Sequence, residues 1–259
     1  MAQSDEETTS FGFRTVKTGE KAGLVREVFD SVAGNYDLMN DVMSAGIHRI
    51  WKTTLLDRLA PQPGQRLIDV AGGTGDVAIG FLNRANGRPH SAQKPKAQAA
   101  ICDINYEMLA AGAQRQEAQS LAAQLTRICG NAEELPVKDG QADRYVIAFG
   151  IRNVTDMDKA LRDARRVLAP GGRFVCLEFS HPITEGLQKA YDTYSFNVIP
   201  WLGEKIANDR AAYQYLVESI RKFPSQEAFA ARIREAGFSR VTYENLSAGV
   251  AALHMGWRV

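Results

Sequence analysis

The sequence predicts an α/β fold: a mostly parallel sheet with an N-terminal helical cap, a helical lid insertion and a C-terminal antiparallel hairpin. From residue 66 onward, five short apolar runs alternate with helical stretches, the pattern of a parallel sheet with crossover helices. The runs cover residues 67–71, 99–103, 125–129, 145–149 and 174–179. After the last run the alternation stops, and residues 181–223 are rich in tyrosine and apolar side chains without a strand pattern, which predicts the helical insertion.

The segments around the sheet divide the chain into an arm, a cap and a core. Residues 1–20 are polar and lack a periodic pattern, so we expect a disordered N-terminal arm. Apolar residues then recur at helical spacing, and a second helical stretch begins at His48, so residues 21–62 are predicted to form the cap. The predicted core, residues 63–259, contains the lid at about 181–223 and a hairpin formed by residues 240–246 and 249–257.

Composition and charge argue against several classes of protein. The chain has 31 basic and 30 acidic side chains and a formal charge of +1, so it lacks the positive excess that binds nucleic acid. No apolar stretch approaches the ~20 residues of a membrane-spanning helix. The N-terminus carries Asp5, Glu6 and Glu7 instead of the basic and apolar regions of a signal peptide. We therefore expect a cytoplasmic protein without a nucleic-acid partner.

The three cysteines do not indicate a metal site. Cys102, Cys129 and Cys176 lie inside or at the end of apolar runs and lack the paired spacing of zinc ligands. We expect all three to be buried as small hydrophobic residues.

The strongest chemical signal is a glycine-rich turn between the first predicted strand of the core and a helix. Glycines at this position let the backbone approach a ligand, so Gly72 is a candidate cofactor-binding residue. The pattern also fits the dinucleotide motif G-x-G-x-x-A, so the turn alone leaves NAD open. Asp69 and Asp76 place negative charge beside the turn, which disfavours a pyrophosphate and favours a sulfonium cation such as that of S-adenosylmethionine.

Two further strand ends supply candidate cofactor ligands. The second strand ends in Asp103, where a carboxylate can accept both hydroxyls of a ribose. An aspartate that only caps the next helix is the alternative. Asn131 and Ala132 follow the third strand, and an asparagine beside a small residue suits the edge of an adenine ring, although a plain β-turn explains the pattern equally well.

Two pairs of motifs relate the chain to a known family. Residues 36–44 and 48–51 read YDLMNDVMS and HRIW, and residues 166–172 and 178–180 read RVLAPGG and EFS. They resemble the two signatures of the ubiquinone/menaquinone biosynthesis C-methyltransferases of the UbiE type, and the likeness extends from about residue 28 to the C-terminus. The resemblance implies a Rossmann-like class I methyltransferase that uses S-adenosyl-L-methionine to methylate a ring carbon of a polyprenyl benzoquinol, of demethylmenaquinol, or of both.

The resemblance also assigns residues to the cofactor. The family's cofactor site falls on Thr74, Asp103, Asn131 and Ala132 in this sequence. One departure concerns the stretch Phe-Gly-Ile-Arg-Asn, which a serine often precedes in family members. This chain has Ala148 there, so that hydroxyl contact is absent or replaced by water.

Three residues are candidates for the chemical step. Arg152 follows the fourth strand, at the edge where open α/β sheets bind substrates, and its permanent charge suits stabilisation of a phenolate. Asn153 beside it is a candidate for orienting the ring. The alternative is that Arg152 pairs with Asp37 or Asp156 and only supports the wall of the cleft. His48 is the cap residue whose intrinsic pKa suits a base near neutral pH, with a purely structural histidine as the alternative.

The expected partner is a polyprenylated quinol, whose apolar tail is most easily delivered from a membrane surface. The apolar stretch 196–202, with Trp201 as an interfacial anchor, is a candidate for contact with lipid or with the tail. Packing inside the lid is the alternative. Contact with a quinone-synthesis complex is a further candidate, and no motif indicates an oligomeric state. Three rival functions are a methyltransferase for another lipid or aromatic molecule, an NAD(P)-dependent oxidoreductase and a non-catalytic partner protein.

Overall fold

The computed structural model describes residues 8–32, 41, 44, 46–89, 94–207 and 209–259. A seven-stranded sheet forms the centre of this part of the chain, and a separate two-stranded hairpin precedes it. The strands in chain order are β1 (Thr8–Phe11), β2 (Arg14–Lys17), β3 (Arg66–Val70), β4 (Gln98–Asp103), β5 (Leu125–Cys129), β6 (Ala142–Ala148), β7 (Leu168–Phe179), β8 (Ser239–Leu246) and β9 (Ala251–Trp257).

The order of the strands confirms the predicted sheet. Across the sheet the order is β5-β4-β3-β6-β7-β9-β8. The strands from β5 to β7 pair in parallel, and β9 pairs antiparallel with both β7 and β8 as the predicted C-terminal hairpin. The chain reverses its direction of growth between β3 and β6, and this switch point is where doubly wound sheets open a crevice at their carboxyl edge.

Helices cover both faces of the sheet and form two apolar cores with it. The helices are α1 (Thr18–Val32), α2 (His48–Leu59), α3 (Asp76–Asn86), α4 (Tyr106–Ala113), α5 (Gln116–Ser120), α6 (Met157–Val167), α7 (Glu185–Thr193), α8 (Ile199–Ala207), α9 (Arg210–Lys222) and α10 (Gln226–Glu235). One core lies under α2, α3 and α9, and the other lies under α6 and α10. The insertion after β7 is helical as predicted, with a π-helical turn between α7 and α8.

The prediction of a disordered arm over residues 1–20 is wrong for residues 8–20, because β1 and β2 form a hairpin and α1 begins at Thr18. Tertiary packing stabilises this hairpin. Phe11 is buried and stacks on the ring of Tyr215 in α9, with 4.2 Å between ring centroids. The backbone N–H of Phe13 donates to the Glu218 carboxylate 2.9 Å away. An isolated two-stranded hairpin is only marginally stable. The local sequence of residues 8–17 therefore does not predict the hairpin, which depends on contacts with α9. Residues 1–7 lie outside the described part.

The cysteine prediction needs one correction. Cys102 and Cys176 are buried, whereas Cys129 is exposed at the end of β5, the strand at one edge of the sheet. The side chains of an edge strand have a neighbouring strand on one side only, so they are less completely covered than those of a central strand. Among the described residues, no group of three or more His, Cys, Asp or Glu side chains is arranged to hold a metal ion. None of the described helices combines the length and the apolar character needed to cross a bilayer.

Candidate active site

A cleft lies at the carboxyl ends of β3, β4, β5 and β6, below helix α1. Its described lining includes the strand-end residues Asp103, Asn131, Ala132 and Asn153, together with Gly73 of the glycine turn. Apolar side chains line much of the remaining wall, among them Val25, Ile104, Met108 and Phe149. The cleft therefore offers a few polar groups on an apolar background, as sites for small molecules commonly do.

The glycine turn is closely packed on its inner side and open towards the cleft. A Cβ atom on Gly72 would lie 2.8 Å from the Ile101 side chain and 2.9 Å from the Asp69 carboxyl carbon. Gly73 adopts a φ of +52° and lines the cleft. Gly72 is thus needed for packing between turn and sheet, while Gly73 presents backbone to the cleft. Thr74 lies further along the turn, where its hydroxyl is 3.4 Å from a guanidinium nitrogen of Arg115.

The turn after β3 contacts the turn after β6, and each of them contains one residue in an unusual backbone conformation. Ala71 and Phe149 have positive φ angles of 51° and 58° although neither is glycine. A Cβ atom on Gly150 would lie 2.4 Å from the Cβ of Ala71, so only glycine fits at that position. Non-glycine residues held in this region cost about 1 to 3 kcal/mol each and concentrate at functional sites.

Asp103 lies at the centre of the polar wall. One carboxylate oxygen accepts the backbone N–H of Gly73 at 2.8 Å and the other accepts that of Asn105 at 2.8 Å. A carboxylate has about four acceptor positions, so capacity remains for a ligand with two neighbouring hydroxyls. Burial raises the pKa of Asp103, and the backbone hydrogen bonds from Asn105 and Gly73 oppose that shift.

The turn after β5 fixes the amide of Asn131. Its Oδ1 atom accepts the backbone N–H of Glu133 at 3.0 Å, which is the hydrogen bond of an Asx turn. Glu133 in turn accepts the backbone N–H of Thr155 at 2.8 Å. These bonds connect the turn after β5 to the segment after β6, so both walls of the cleft are held together.

Neither of the two acids beside the glycine turn presents the unpaired negative charge to the cleft that the sequence suggested. Asp69 is 1% exposed, and burial raises its pKa to about 7. Burial also acts on Asp76, but Lys52 and Arg115 pair with it and lower its pKa to about 2. Asp69 is therefore held beneath the turn and Asp76 is neutralised by two cations. Of the acids near the turn, Asp103 is the one that lines the cleft.

Arg152 is buried, and its partner is Glu178 of β7. A guanidinium nitrogen lies 2.7 Å from Glu178 Oε1, and the two side chains are 4% and 1% exposed. The same nitrogen donates to the Phe149 carbonyl oxygen at 2.6 Å, and Nε lies 3.3 Å from Ser219 Oγ. Burial raises the pKa of Glu178, and Arg152 opposes that shift.

Glu178, the partner of Arg152, was not among the residues considered from the sequence. Asp156 instead caps helix α6 by accepting the backbone N–H of Lys159, and Asp37 lies outside the described residues. Arg152 borders a second, more polar cavity of about 480 Å³. Val154 and Thr155 line both cavities and form the wall between them.

Asn153 and His48 occupy different settings. Asn153 lines the cleft, and its Oδ1 accepts the hydroxyl of Tyr215 at 3.0 Å. His48 begins helix α2 and is 2% exposed, with Nδ1 3.0 Å from Ser44 Oγ and 3.6 Å from an Asp41 carboxylate oxygen. The described lining of the cleft does not include His48.

The structure thus brings together four of the predicted site residues: Asp103, Asn131, Ala132 and Asn153. It places Gly72 and Thr74 in the adjoining turn and separates Arg152 and His48 from the described lining. Sequence reasoning did not identify Gly73 as the glycine facing the cleft, nor Glu178 and Tyr215 as partners of Arg152 and Asn153. The motif EFS contains Glu178, but a strand residue gives no sign of which side chain it will meet.

Comparisons with known proteins identify relatives of the chain. The model of the ubiE/COQ5 methyltransferase family matches residues 7–258. A protein of Dinoroseobacter shibae named ubiquinone/menaquinone biosynthesis C-methyltransferase UbiE is 55% identical over all of both chains. The protein of the same name from Caulobacter vibrioides is 57% identical over 97% of this chain and 98% of its own. A SAM-dependent methyltransferase from Thermotoga maritima superposes with a TM-score of 0.61 at 18% identity, over 91% of this chain and 100% of its own, which shows the shared fold.

Proposed function

Because the chain belongs to the ubiE/COQ5 methyltransferase family, we propose that it transfers a methyl group from S-adenosylmethionine to a ring carbon of a polyprenylated quinol. The acceptor is a polyprenyl benzoquinol, demethylmenaquinol or both, in line with the names of the relatives. The single observation that best supports the assignment is the Asp103 carboxylate, which is held by two backbone amides on the wall of the cleft.

The residues of the cleft fit the proposed cofactor. A ribose needs an acceptor for two neighbouring hydroxyls, and Asp103 retains that capacity. The backbone of Gly73 reaches the cleft without a side chain in the way. Asn131 and Ala132 supply an amide and a small apolar neighbour for the adenine edge, and Gly72 and Thr74 shape the turn that carries Gly73. We prefer S-adenosylmethionine to NAD because the chain belongs to a methyltransferase family and because the acid Asp103 lines the cleft beside the turn.

The protein's part in methyl transfer is mainly one of orientation. When bound, S-adenosylmethionine supplies an electrophilic methyl group on a sulfonium. Alignment of two reactants in a cleft can be worth roughly 7 to 11 kcal/mol. The apolar walls exclude water, and Asn153 is proposed to donate from Nδ2 to a ring oxygen, so that it stabilises the phenolate form of the acceptor. Arg152 is a positioning residue in the proposal, because its guanidinium donates to the carbonyl oxygen of Phe149 on the cleft wall, whereas a role for His48 stays a prediction.

The experiment that tests the function is an assay of the purified protein with methyl-labelled S-adenosylmethionine and both demethylated quinols. We expect label on the quinone nucleus of at least one acceptor. Titration calorimetry with S-adenosylhomocysteine and NAD provides the control for the cofactor. Label on another lipid or aromatic acceptor alone, heat from NAD alone, or cofactor binding without turnover on either quinol would each contradict the proposal.

We also propose a lipid-facing surface for delivery of the acceptor, formed by the exposed aromatic side chains of Phe13, Phe196 and Trp201. Phe13 at the hairpin tip and Trp201 in α8 are 53% and 52% exposed, and Phe13 stacks on Phe196 with 6.2 Å between ring centroids. Ile199, which lies between Phe196 and Trp201 in the sequence, is fully buried, so this stretch is divided between the core and the surface. Exposed Arg14 beside Phe13 adds positive charge that suits an anionic membrane surface.

Vesicle binding tests this surface. We expect the wild type to co-sediment with phosphatidylglycerol vesicles and the double variant Phe13→Ser, Trp201→Ser to remain in the supernatant, because its aromatic anchors are lost. Tyr243→Ser is the matched control, since Tyr243 is an exposed aromatic residue of β8. Equal sedimentation of wild type and double variant would exclude this surface as the membrane contact.

A further inference from the structure

Helix α9 contacts the segment after β6 through two side chains that lie one helical turn apart. Tyr215 donates to Asn153 Oδ1 at 3.0 Å, and Ser219 Oγ lies 3.3 Å from Arg152 Nε. Residues four apart on a helix share a face, so both contacts come from the same stripe of α9. They meet two successive residues of the 3₁₀ turn Ile151–Asn153, one that lines the cleft and one that is buried behind it.

We infer that Tyr215 is a positioning residue for methyl transfer, which holds the Asn153 amide with Oδ1 towards α9 and Nδ2 as the donor at the cleft. This inference rests on the proposed function and assigns a cause to the orientation of Asn153. An asparagine amide has one acceptor end and one donor end. Once the tyrosine hydroxyl donates to Oδ1, the end that remains is the donor, and a developing phenolate oxygen requires a donor.

The surroundings of Tyr215 suit a fixed donor. Tyr215 is 4% exposed, and burial raises the pKa of its hydroxyl to about 12, so the proton remains on the oxygen throughout the working pH range. The ring of Tyr215 is held from the other side by its stack on Phe11 of β1. The N-terminal hairpin, through Phe11 and Tyr215, is thus connected to the polar wall of the cleft.

The chain provides a matched control on the same helix. Tyr213 is also fully buried, and its hydroxyl has no hydrogen-bond partner among the described residues. Tyr213→Phe and Tyr215→Phe therefore each remove one buried hydroxyl from α9 and keep the aromatic ring. They differ in whether that hydroxyl holds a residue of the cleft.

The test compares kcat, KM and the pH profile of the two variants with those of the wild type, on the better of the two demethylated quinols. Tyr215→Phe is expected to lower kcat on the order of 10-fold to 100-fold, as a misplaced active-site group does, with the KM for S-adenosylmethionine unchanged. The acid limb of its kcat profile should move to higher pH, because a less stabilised phenolate forms with a higher pKa. Tyr213→Phe should match the wild type in all three measurements.

A double-mutant cycle decides whether Tyr215 acts through Asn153. In an Asn153→Ala background, Tyr215→Phe should have no further effect on kcat. An equal effect in both backgrounds, or kcat of Tyr215→Phe equal to that of Tyr213→Phe, overturns the inference and leaves the proposed function intact. Absence of label transfer by the wild type overturns both. If Tyr215→Phe binds S-adenosylhomocysteine as the wild type does and still loses turnover without any shift of the pH limb, the orientation of the donor is likewise excluded as the cause.

Discussion

Glu178→Gln is expected to lower the free energy of unfolding by about 3 to 5 kcal/mol, the usual cost of breaking a buried ion pair by removing one partner. The variant leaves the Arg152 guanidinium in a setting where its side chain is 4% exposed. Arginine does not lose its proton in proteins, so the buried charge cannot be removed by a shift in pKa. Glu178 also accepts the backbone N–H of Phe179 at 2.9 Å, so both strand and turn are affected. Urea unfolding followed by circular dichroism measures the loss.

Asp139→Asn is the matched control for this prediction. Asp139 accepts a hydrogen bond from Arg166 at 2.8 Å, but its side chain is 76% exposed. Solvent-exposed pairs contribute roughly 0 to 1 kcal/mol, so this variant should unfold much as the wild type does. Similar losses of unfolding free energy for Glu178→Gln and Asp139→Asn would show that burial does not determine how much the Arg152–Glu178 pair contributes to stability.

Removing the arginine should cost less, because the partner left behind can change its charge. In Arg152→Met, Glu178 loses the cation that opposes the effect of burial, so its pKa rises further and only the backbone N–H groups of Phe179 and of residue 152 still oppose the rise. When the pKa of a carboxyl is higher in the folded state than its unfolded value of ~4.3, the group contributes stability that is fully present below the unfolded pKa. This contribution is lost as the pH rises through the folded pKa. The stability of Arg152→Met should therefore improve relative to the wild type as pH falls from about 7 to about 5. Lost turnover with unchanged unfolding free energy would instead place Arg152 in the chemistry.

The sheet and the cofactor side of the cleft were predictable because parallel strands end at one edge. Once β3, β4, β5 and β6 are placed, Asp103, Asn131 and Asn153 must meet there, whatever the packing details. Arg152 shows where this reasoning ends. A charged residue after a strand looks the same in sequence whether it faces a ligand or a buried partner, and Glu178 is 26 residues away.

The N-terminal hairpin shows a second limit, since its stability depends on contacts distant in sequence. Phe11 packs on a residue of α9 about two hundred positions away, so the local pattern contains little of the free energy that orders the strands. The charge argument at the glycine turn failed for a similar reason. The sequence shows Asp76 as an acid beside the turn, but Lys52 of α2 and Arg115, which lies between α4 and α5, pair with it. The preference for S-adenosylmethionine therefore now depends on Asp103 and on the family.

Asp103→Ala is expected to weaken binding of S-adenosylhomocysteine by about 1 to 3 kcal/mol, which corresponds to roughly 5-fold to 150-fold in Kd. The proposed ribose hydroxyls lose their acceptor, and the backbone N–H groups of Gly73 and Asn105 lose theirs at the same time. The effect thus includes a looser glycine turn as well as a missing ligand contact. Titration calorimetry of the purified variant measures the change.

Asp76→Asn separates these two acids of the cleft region. Asp76 is half-buried and pairs with Lys52 and Arg115, but it is not part of the described lining, so its replacement should change Kd far less than that of Asp103. Asp103→Asn should fall between, because an amide keeps one acceptor and turns a donor towards the second backbone N–H. If Asp76→Asn weakened binding more than Asp103→Ala, the ribose would have to be placed on the other side of the turn. The direction from which the methyl group approaches the ring would then change as well.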